Sequence, residues 1–436
     1  MTPTVLYLVG KGRSGSTLVE NVLGQLHTFF TLGELRNLWL GGLVEGQSCG
    51  CGEPIPICPV WIDIIERAQE LLPFRLDPLQ VSSWQEDIFR WRNARRMLAH
   101  TSSNLALWPE LESYTKVVSA VYTAAALATG AEVIVDSTKW PFAPTPLGLV
   151  PGINCFVLHL VRDPRAVAHS WKRINYWDVE RASRMPRFGA VYSSISYVAH
   201  NVAAELILRR LPSGKRIFLR YEDFVSDPER IVRGIAKQVG HEPIGFRKNS
   251  HSEFILDPTH TVGGNPRRLR PGATVIRSDD EWKKRRDVAV INLLTWPLLR
   301  RYDYQTQRGL RMPRRLGRSP LNRARDPWVD LRSGADLPRR AGAAVRRETD
   351  QTDALETGEN LGRSVEPSSI TMISQEYVEL SRPARMRSIS STMWPSSLKQ
   401  GSTTETSRVE GLSMESIDDR RLIACSPGTV ILIHPS

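Results

Sequence analysis

Cysteine is scarce in this chain, and long apolar runs are missing from it. Five cysteines among 436 residues, an odd number, argue against a disulfide scaffold. No run of about 18 apolar residues occurs, so no membrane-spanning helix is expected. The first thirty residues open on a strand pattern and lack the basic, apolar and small-residue succession of a secretory leader. A cytoplasmic enzyme is the resulting expectation. Cys49, Cys51 and Cys58 cluster, but without Cys-x-x-Cys spacing and without a fourth ligand close by in sequence. No metal is therefore expected; the cluster reads as an irregular loop with free thiols or one local disulfide.

The remaining composition is that of an ordinary soluble chain, 41% hydrophobic and 24% charged, able to bury one large core or two modest ones. The net charge of +12 suits a nucleic acid, an anionic membrane or an anionic cofactor, and does not choose among them. Organisation begins at Val5, Leu6, Leu8 and Val9, an apolar run suited to a strand covered on both faces. Gly10, Gly12 and Gly15 break it, and Leu18, Val19, Val22, Leu23 and Leu26 then recur at helical spacing. Between strand and helix, the backbone N–H groups of Arg13, Ser14, Gly15, Ser16 and Thr17 can converge on an anion at the positive end of the helix. A phosphate or sulfate group is the natural guest; a tight turn without a ligand is the bland alternative. The spacing nearly matches the nucleotide-triphosphate loop, but the lysine expected after the second glycine is replaced by Ser16, and the cation, Arg13, precedes that glycine.

Further along, Glu34 and Arg36 interrupt an apolar segment from Phe30 to Trp39. Residues 60–130 read as mainly helical, including Trp84 to Leu107 and an alanine-rich helix from Lys116 to Thr129 capped by Gly130. Val133 to Val135 form a short strand running into Asp136, Ser137 and Lys139, which would stand where ligands gather in open α/β sheets, or simply be a solvated strand end. Phe156 to Val161 repeat the strand, with Asp163 as N-cap and Pro164 as first helical residue. Arg162 then lies at the strand end and Ser170 about two turns into the helix, a pair able to meet on a second anionic group. Another strand and helix follow over 216–240, and His260 to Arg270 form a glycine-rich basic loop.

These motifs, in this order, resemble the sulfotransferase family of bacterial type over about residues 4–304. Arg13 to Thr17 match the 5′-phosphosulfate loop. Arg162 and Ser170 match the arginine and serine that hold the 3′-phosphate, and Gly264-Asn-Pro-Arg-Arg268 matches the segment that closes over the donor. The resemblance implies a three-layer, P-loop-NTPase-like α/β fold with a central parallel sheet. It also implies 3′-phosphoadenosine 5′-phosphosulfate as co-substrate without a metal, and transfer of a sulfuryl group to an acceptor hydroxyl of a carbohydrate, lipid, small molecule or peptide. Arg13 and Lys139 would stabilise the transferred group and departing phosphate; Arg162, Ser170 and Arg268 would hold the 3′-phosphate. Glu34 is the expected catalytic base, carried over by rough spacing, with Asp136 as runner-up.

The alternatives are a nucleotide kinase or NTPase and a non-enzymatic nucleotide or nucleic-acid binder. The first would need the loop lysine and magnesium carboxylates, and no aromatic-basic ladder supports specific nucleic-acid binding. Trp171, Tyr176, Trp177, Tyr192 and Tyr197 are candidates for an acceptor pocket, though aromatics on helices are more often core. Residues 305–436 lack sustained periodicity and read as a mostly disordered tail, within which only Thr429 to His434 has strand character.

Overall fold

The computed structural model describes residues 3–304 apart from 101, 144–151, 174–175, 179–182, 185, 243–246, 251 and 285–286, together with strands at 329–330, 421–424 and 430–433. The chain divides into two compact units, residues 1–382 and 383–436.

Strand β1 (Thr4–Val9) is buried along its whole length, and its pleat sorts its side chains into two apolar layers. Val5, Tyr7 and Val9 join Val117 and Val121 of helix α5 (Pro109–Thr129) on one face. Leu6 and Leu8 join Val19 and Val22 of α1 (Ser16–Leu23) and Ile231 and Ile235 of α9 (Pro228–Gln238) on the other. Helices on both faces of one sheet make the expected three-layer α/β fold. The sheet runs β2 (Phe29–Gly33), β3 (Val133–Lys139), β1, β4 (Asn154–Val161), β7 (Arg216–Arg220) and β10 (Val329–Asp330), with every neighbouring pair parallel. Because the chain leaves β1 toward β2 and later crosses to β4 on the opposite side, a crevice opens at the carboxyl ends of β1 and its neighbours.

Helices α2 (Pro59–Glu70), α3 (Pro78–Ile88) and α4 (Ala94–Ala99) precede α5. Helices α6 (Pro164–Lys172) and α7 (Ala190–Leu208) follow β4, α8 (Tyr221–Ser226) follows β7, and α10 (Val288–Arg301) comes last. Two antiparallel pairs, β5 (Tyr176–Asp178) with β6 (Ser183–Arg184) and β8 (Glu253–Leu256) with β9 (Gly272–Val275), lie outside the main sheet.

Local signals succeeded where the sequence supplies a cap. Gly130 ends α5 with φ +69, and Asp163 accepts from the Arg165 N–H at 2.9 Å to start α6. Two helical expectations shift. Helix α1 stops at Leu23, because Gly24 meets β2 so closely that a Cβ there would lie 3.0 Å from Thr31, and Leu26 is buried beyond the helix. The continuous helix expected from Trp84 to Leu107 is broken. Phe89 turns edge-on to Tyr114 at 5.3 Å and Trp91 to Trp140 at 5.3 Å, so ring packing outweighs helix propensity there. Most of the expected tail lies outside the described residues. Of its described parts, Val329–Asp330 extends the main sheet, and β11 (Arg421–Ala424) pairs antiparallel with β12 (Val430–Ile433) in the second unit.

Candidate active site

The glycine-rich loop leaves the central strand under tight steric control. A Cβ at Gly10 would lie 2.3 Å from the Leu160 carbonyl oxygen, and one at Gly15, where φ is +93, would lie 2.3 Å from the Tyr221 ring. The Ser14 N–H donates to the Lys11 carbonyl at 3.2 Å, and Leu18 and Val19 donate to Gly15 as α1 begins. The first N–H groups of a helix lack intrahelical acceptors, so this end of α1 favours an anion. Arg13 itself has φ +75, a left-handed conformation that costs a non-glycine residue about 1 kcal/mol. Its guanidinium lies 5.1 Å from the centre of the Trp171 indole, and the Lys11 ammonium lies 5.4 Å from the same ring. Lys11 was not singled out in the sequence, although a second cation in a glycine-rich turn was visible there. It is buried, and burial pulls its pKa down to about 7.

Arg162, at the end of β4, comes to the same loop: Nη1 donates to the Arg13 carbonyl at 3.2 Å. Its Nη2 donates to Asp279 Oδ2 at 3.1 Å, its guanidinium lies 4.7 Å from the Tyr221 ring centre, and its carbonyl accepts from the Tyr197 hydroxyl at 2.8 Å. Ser170 is half-buried on α6, one residue before Trp171. Asp279 and Tyr221 were not recognised from sequence as neighbours of these arginines, since neither carries a motif. Of the aromatic candidates, Tyr197 is core, Trp171 packs under the loop cations, and Tyr176 and Trp177 have side chains outside the described residues.

On the other side of the loop, Glu34 follows β2 and Lys139 ends β3, and their side chains form an ion pair. Asn37 Nδ2 donates to Glu34 Oε2 at 3.3 Å. Arg13 is close enough for Glu34 and Arg162 to pull its pKa in opposite directions, although burial dominates and lowers it. Lys139, like Arg13, has a positive φ, +69, so two of the three such non-glycine residues among the described ones are the two cations expected to act. The segment 261–264 lies over Glu34. Val262 accepts from the Glu34 N–H at 2.7 Å and donates to Leu32 at 2.8 Å, and a Cβ at Gly264 would lie 3.2 Å from Glu34 Oε1.

Beneath this group sits Glu20, a buried carboxyl on α1 that the sequence reading passed over. It accepts from the Gly33 N–H at 2.8 Å and from the Ser137 hydroxyl at 2.7 Å, tying α1 to the ends of β2 and β3. Burial raises its pKa to about 7, against the opposing influence of Ser137, Lys139 and Gly33. Asp136, the alternative base, faces the interior. Its Oδ2 accepts from the Tyr122 hydroxyl at 2.6 Å, its Oδ1 accepts from the Thr138 N–H at 2.7 Å, and burial raises its pKa.

Arg268, the residue matched to the donor-covering motif, is held by two backbone carbonyls. Its Nη1 donates to the Thr261 carbonyl at 3.2 Å and its Nη2 to the Ser48 carbonyl at 2.7 Å. The structure also places a histidine that the sequence could not. His200 on α7 holds Nδ1 2.8 Å from the Ser196 carbonyl and stacks edge-on to Trp91 and Trp140. Burial, then the field of Lys11, keep its pKa well below the usual range, so the ring is neutral with its proton on Nδ1. Finally, Cys49, Cys51 and Cys58 do meet a fourth metal-ligating group, His260.

A parallel α/β domain whose glycine-rich strand-to-helix loop carries Arg13 and is approached by Arg162 can accommodate an anionic group at the start of α1. A family model described as the sulfotransferase family matches residues 5–243, more than half of the chain, and the protein belongs to that family of transferases. Among solved structures, the sulfotransferase domain from the Synechococcus PCC 7002 olefin synthase is 18% identical with a TM-score of 0.41, covering 70% of this chain and 97% of that one. The sulfotransferase domain from the curacin biosynthetic pathway is 15% identical with a TM-score of 0.42, covering 70% and 99%. Sulfotransferase STF9 from Mycobacterium avium is 13% identical with a TM-score of 0.36, covering 70% and 78%. No curated protein matches the sequence.

Proposed function

We propose that the protein moves a sulfuryl group from 3′-phosphoadenosine 5′-phosphosulfate to an acceptor hydroxyl. The observation that carries this reading is the donation from Arg162, just past the end of β4, to the Arg13 carbonyl, which brings a second cation to the anion-favouring loop that itself carries Arg13. The 5′-phosphosulfate would lie on the N–H groups of Arg13 to Thr17, and the 3′-phosphate would take Arg162 and Ser170. Arg268, held by Thr261 and Ser48, would support the covering segment rather than touch the nucleotide.

In the reaction, the acceptor oxygen bonds to sulfur as the bond from sulfur to the 5′-phosphate oxygen breaks, releasing adenosine 3′,5′-bisphosphate. The acceptor proton goes to Glu34. The Glu34–Lys139 ion pair gives this transfer a second effect. A protonated Glu34 no longer neutralises the ammonium, so the charge of Lys139, with that of Arg13, becomes available to the leaving phosphate oxygen as it develops. The protein's main contribution is position and charge. The acceptor is a carbohydrate, lipid, small molecule or peptide.

The test is incubation of the full chain with donor labelled in its sulfuryl group and a panel of carbohydrate, lipid, phenol and peptide acceptors. Thermal melting with adenosine bisphosphate, adenosine 5′-monophosphate and ATP runs alongside. Label on an acceptor, with the bisphosphate the strongest stabiliser, is expected. Preferential stabilisation by ATP with no label transfer would instead assign a kinase or NTPase.

A further inference from the structure

We propose that Cys49, Cys51, Cys58 and His260 hold one Zn²⁺ ion in a closed Cys3His site that fastens the covering segment over Glu34. The four ligand atoms all lie within 4.8 Å of one another. Cys58 Sγ is 3.7 Å from Cys49 Sγ and 3.9 Å from Cys51 Sγ, and His260 Nδ1 is 3.4 Å from Cys58 Sγ and 3.7 Å from Cys49 Sγ. Bond lengths of about 2.3 Å for Zn–S and about 2.0–2.1 Å for Zn–N place tetrahedral edges at about 3.8 Å between sulfurs and about 3.5 Å between sulfur and nitrogen. The four separations given above lie within about 0.2 Å of those lengths. They are far from the roughly 2.05 Å of a disulfide, and all three thiols are free.

The surroundings are those of a built site. Cys49 and Cys51 lie in a tight turn in which the Cys49 N–H donates to the Glu53 carbonyl at 2.7 Å and the Gly52 N–H to the Cys49 carbonyl at 2.9 Å. Cys58 is the N-cap of α2, so its Sγ is fixed at the start of that helix. The His260 backbone is fixed by Trp61, whose Nε1 donates to its carbonyl at 2.8 Å. Arg268 binds the carbonyls of Ser48 and Thr261, the residues flanking the cluster on each side, and its cation offsets the single negative charge of three thiolates and one Zn²⁺. Second-shell bonds of this kind orient ligands and tune affinity. Four protein ligands leave no open position, so the ion is structural. Its place in the chain explains its use: His260 lies two residues before Val262, which pairs with Leu32 and Glu34. The ion thereby joins the 49–58 turn to the far end of β2.

Elemental analysis of the purified full chain, before and after zinc is added to metal-free protein, tests this directly. About one Zn²⁺ per chain is expected, falling to less than about a tenth in Cys58→Ser and in His260→Ala and persisting in Cys155→Ala. Cobalt added to the metal-free protein should give the intense visible absorption of a tetrahedral thiolate site. With zinc bound, the cluster thiols should resist alkylation until a chelator is present. A parent protein that takes up no zinc, that carries iron instead, or whose zinc survives both substitutions would overturn the assignment. None of these readouts depends on sulfuryl transfer.

Discussion

Arg13 reaches the crevice from a loop whose course follows from its own strand, glycines and helix start, although Leu160, Trp171 and Tyr221 wall it, whereas the ion pair and the covering segment of Glu34 come from far along the chain. Lys139 is 105 residues from Glu34, and the covering residues Val262 and Gly264 are farther still. The first half of the site follows from strand, glycine turn and helix start. The second exists only once the sheet has placed β2 beside β3 and the 261–264 segment has closed on both.

Four substitutions sharpen the comparison. The largest effect is expected on the long-range side, where Glu34→Gln keeps the shape of the group but cannot take the acceptor proton. Single-turnover label transfer should slow by roughly a hundredfold or more, with bisphosphate affinity nearly unchanged. Normal turnover there would remove Glu34 from the mechanism. At the donor loop, Arg162→Ala should weaken adenosine bisphosphate by about tenfold or more, through loss of charge-assisted hydrogen bonds, while leaving the 5′-monophosphate little changed. Calorimetry on both ligands decides it, and an equal loss for both would place the 3′-phosphate elsewhere.

A smaller effect, of opposite sign, is expected at Asp279, which shares Arg162. Asp279→Asn removes the competing carboxylate, so the bisphosphate should bind several-fold more tightly; unchanged affinity would mean that the arginine serves Asp279 alone. The smallest concerns Glu20, which links the two halves from below. Its pKa rises to about 7 in the folded protein, so its contribution to stability is complete below the unfolded value of about 4.5 and is lost as pH climbs through 7. Glu20→Gln should flatten that part of the melting-temperature profile by a few degrees. A profile identical to that of the parent would show that the carboxyl ionises freely.

The same division governed what could be read beforehand. Buried β1, the glycine loop, the Asp163 cap and the Gly130 cap were legible because each is a signal within a few residues. Helix breakage after Ile88 was not, because Phe89 and Trp91 obey rings on α5 and beyond β3 rather than their own segment. The Glu34–Lys139 pair was half legible: both residues were named, their contact was not. Asp136 and Ser137 lie within β3, where the pleat and Tyr122 turn Asp136 inward and Ser137 serves Glu20. His260 could not be joined to the cysteines from sequence, since 202 residues separate it from Cys58.

The pairing of Val262 with Leu32 and Glu34 has a consequence for solubility. Strand β2 ends the sheet, and an end strand offers unpaired N–H and C=O groups to any extended segment that arrives, including one from another copy of the chain. Val262 occupies that position at the far end of β2, through the parallel bridge with Gly33. The segment that completes the crevice is thus also a guard rail along the margin of the sheet, and a chain that sheds it exposes the strand ending at Gly33 to self-association.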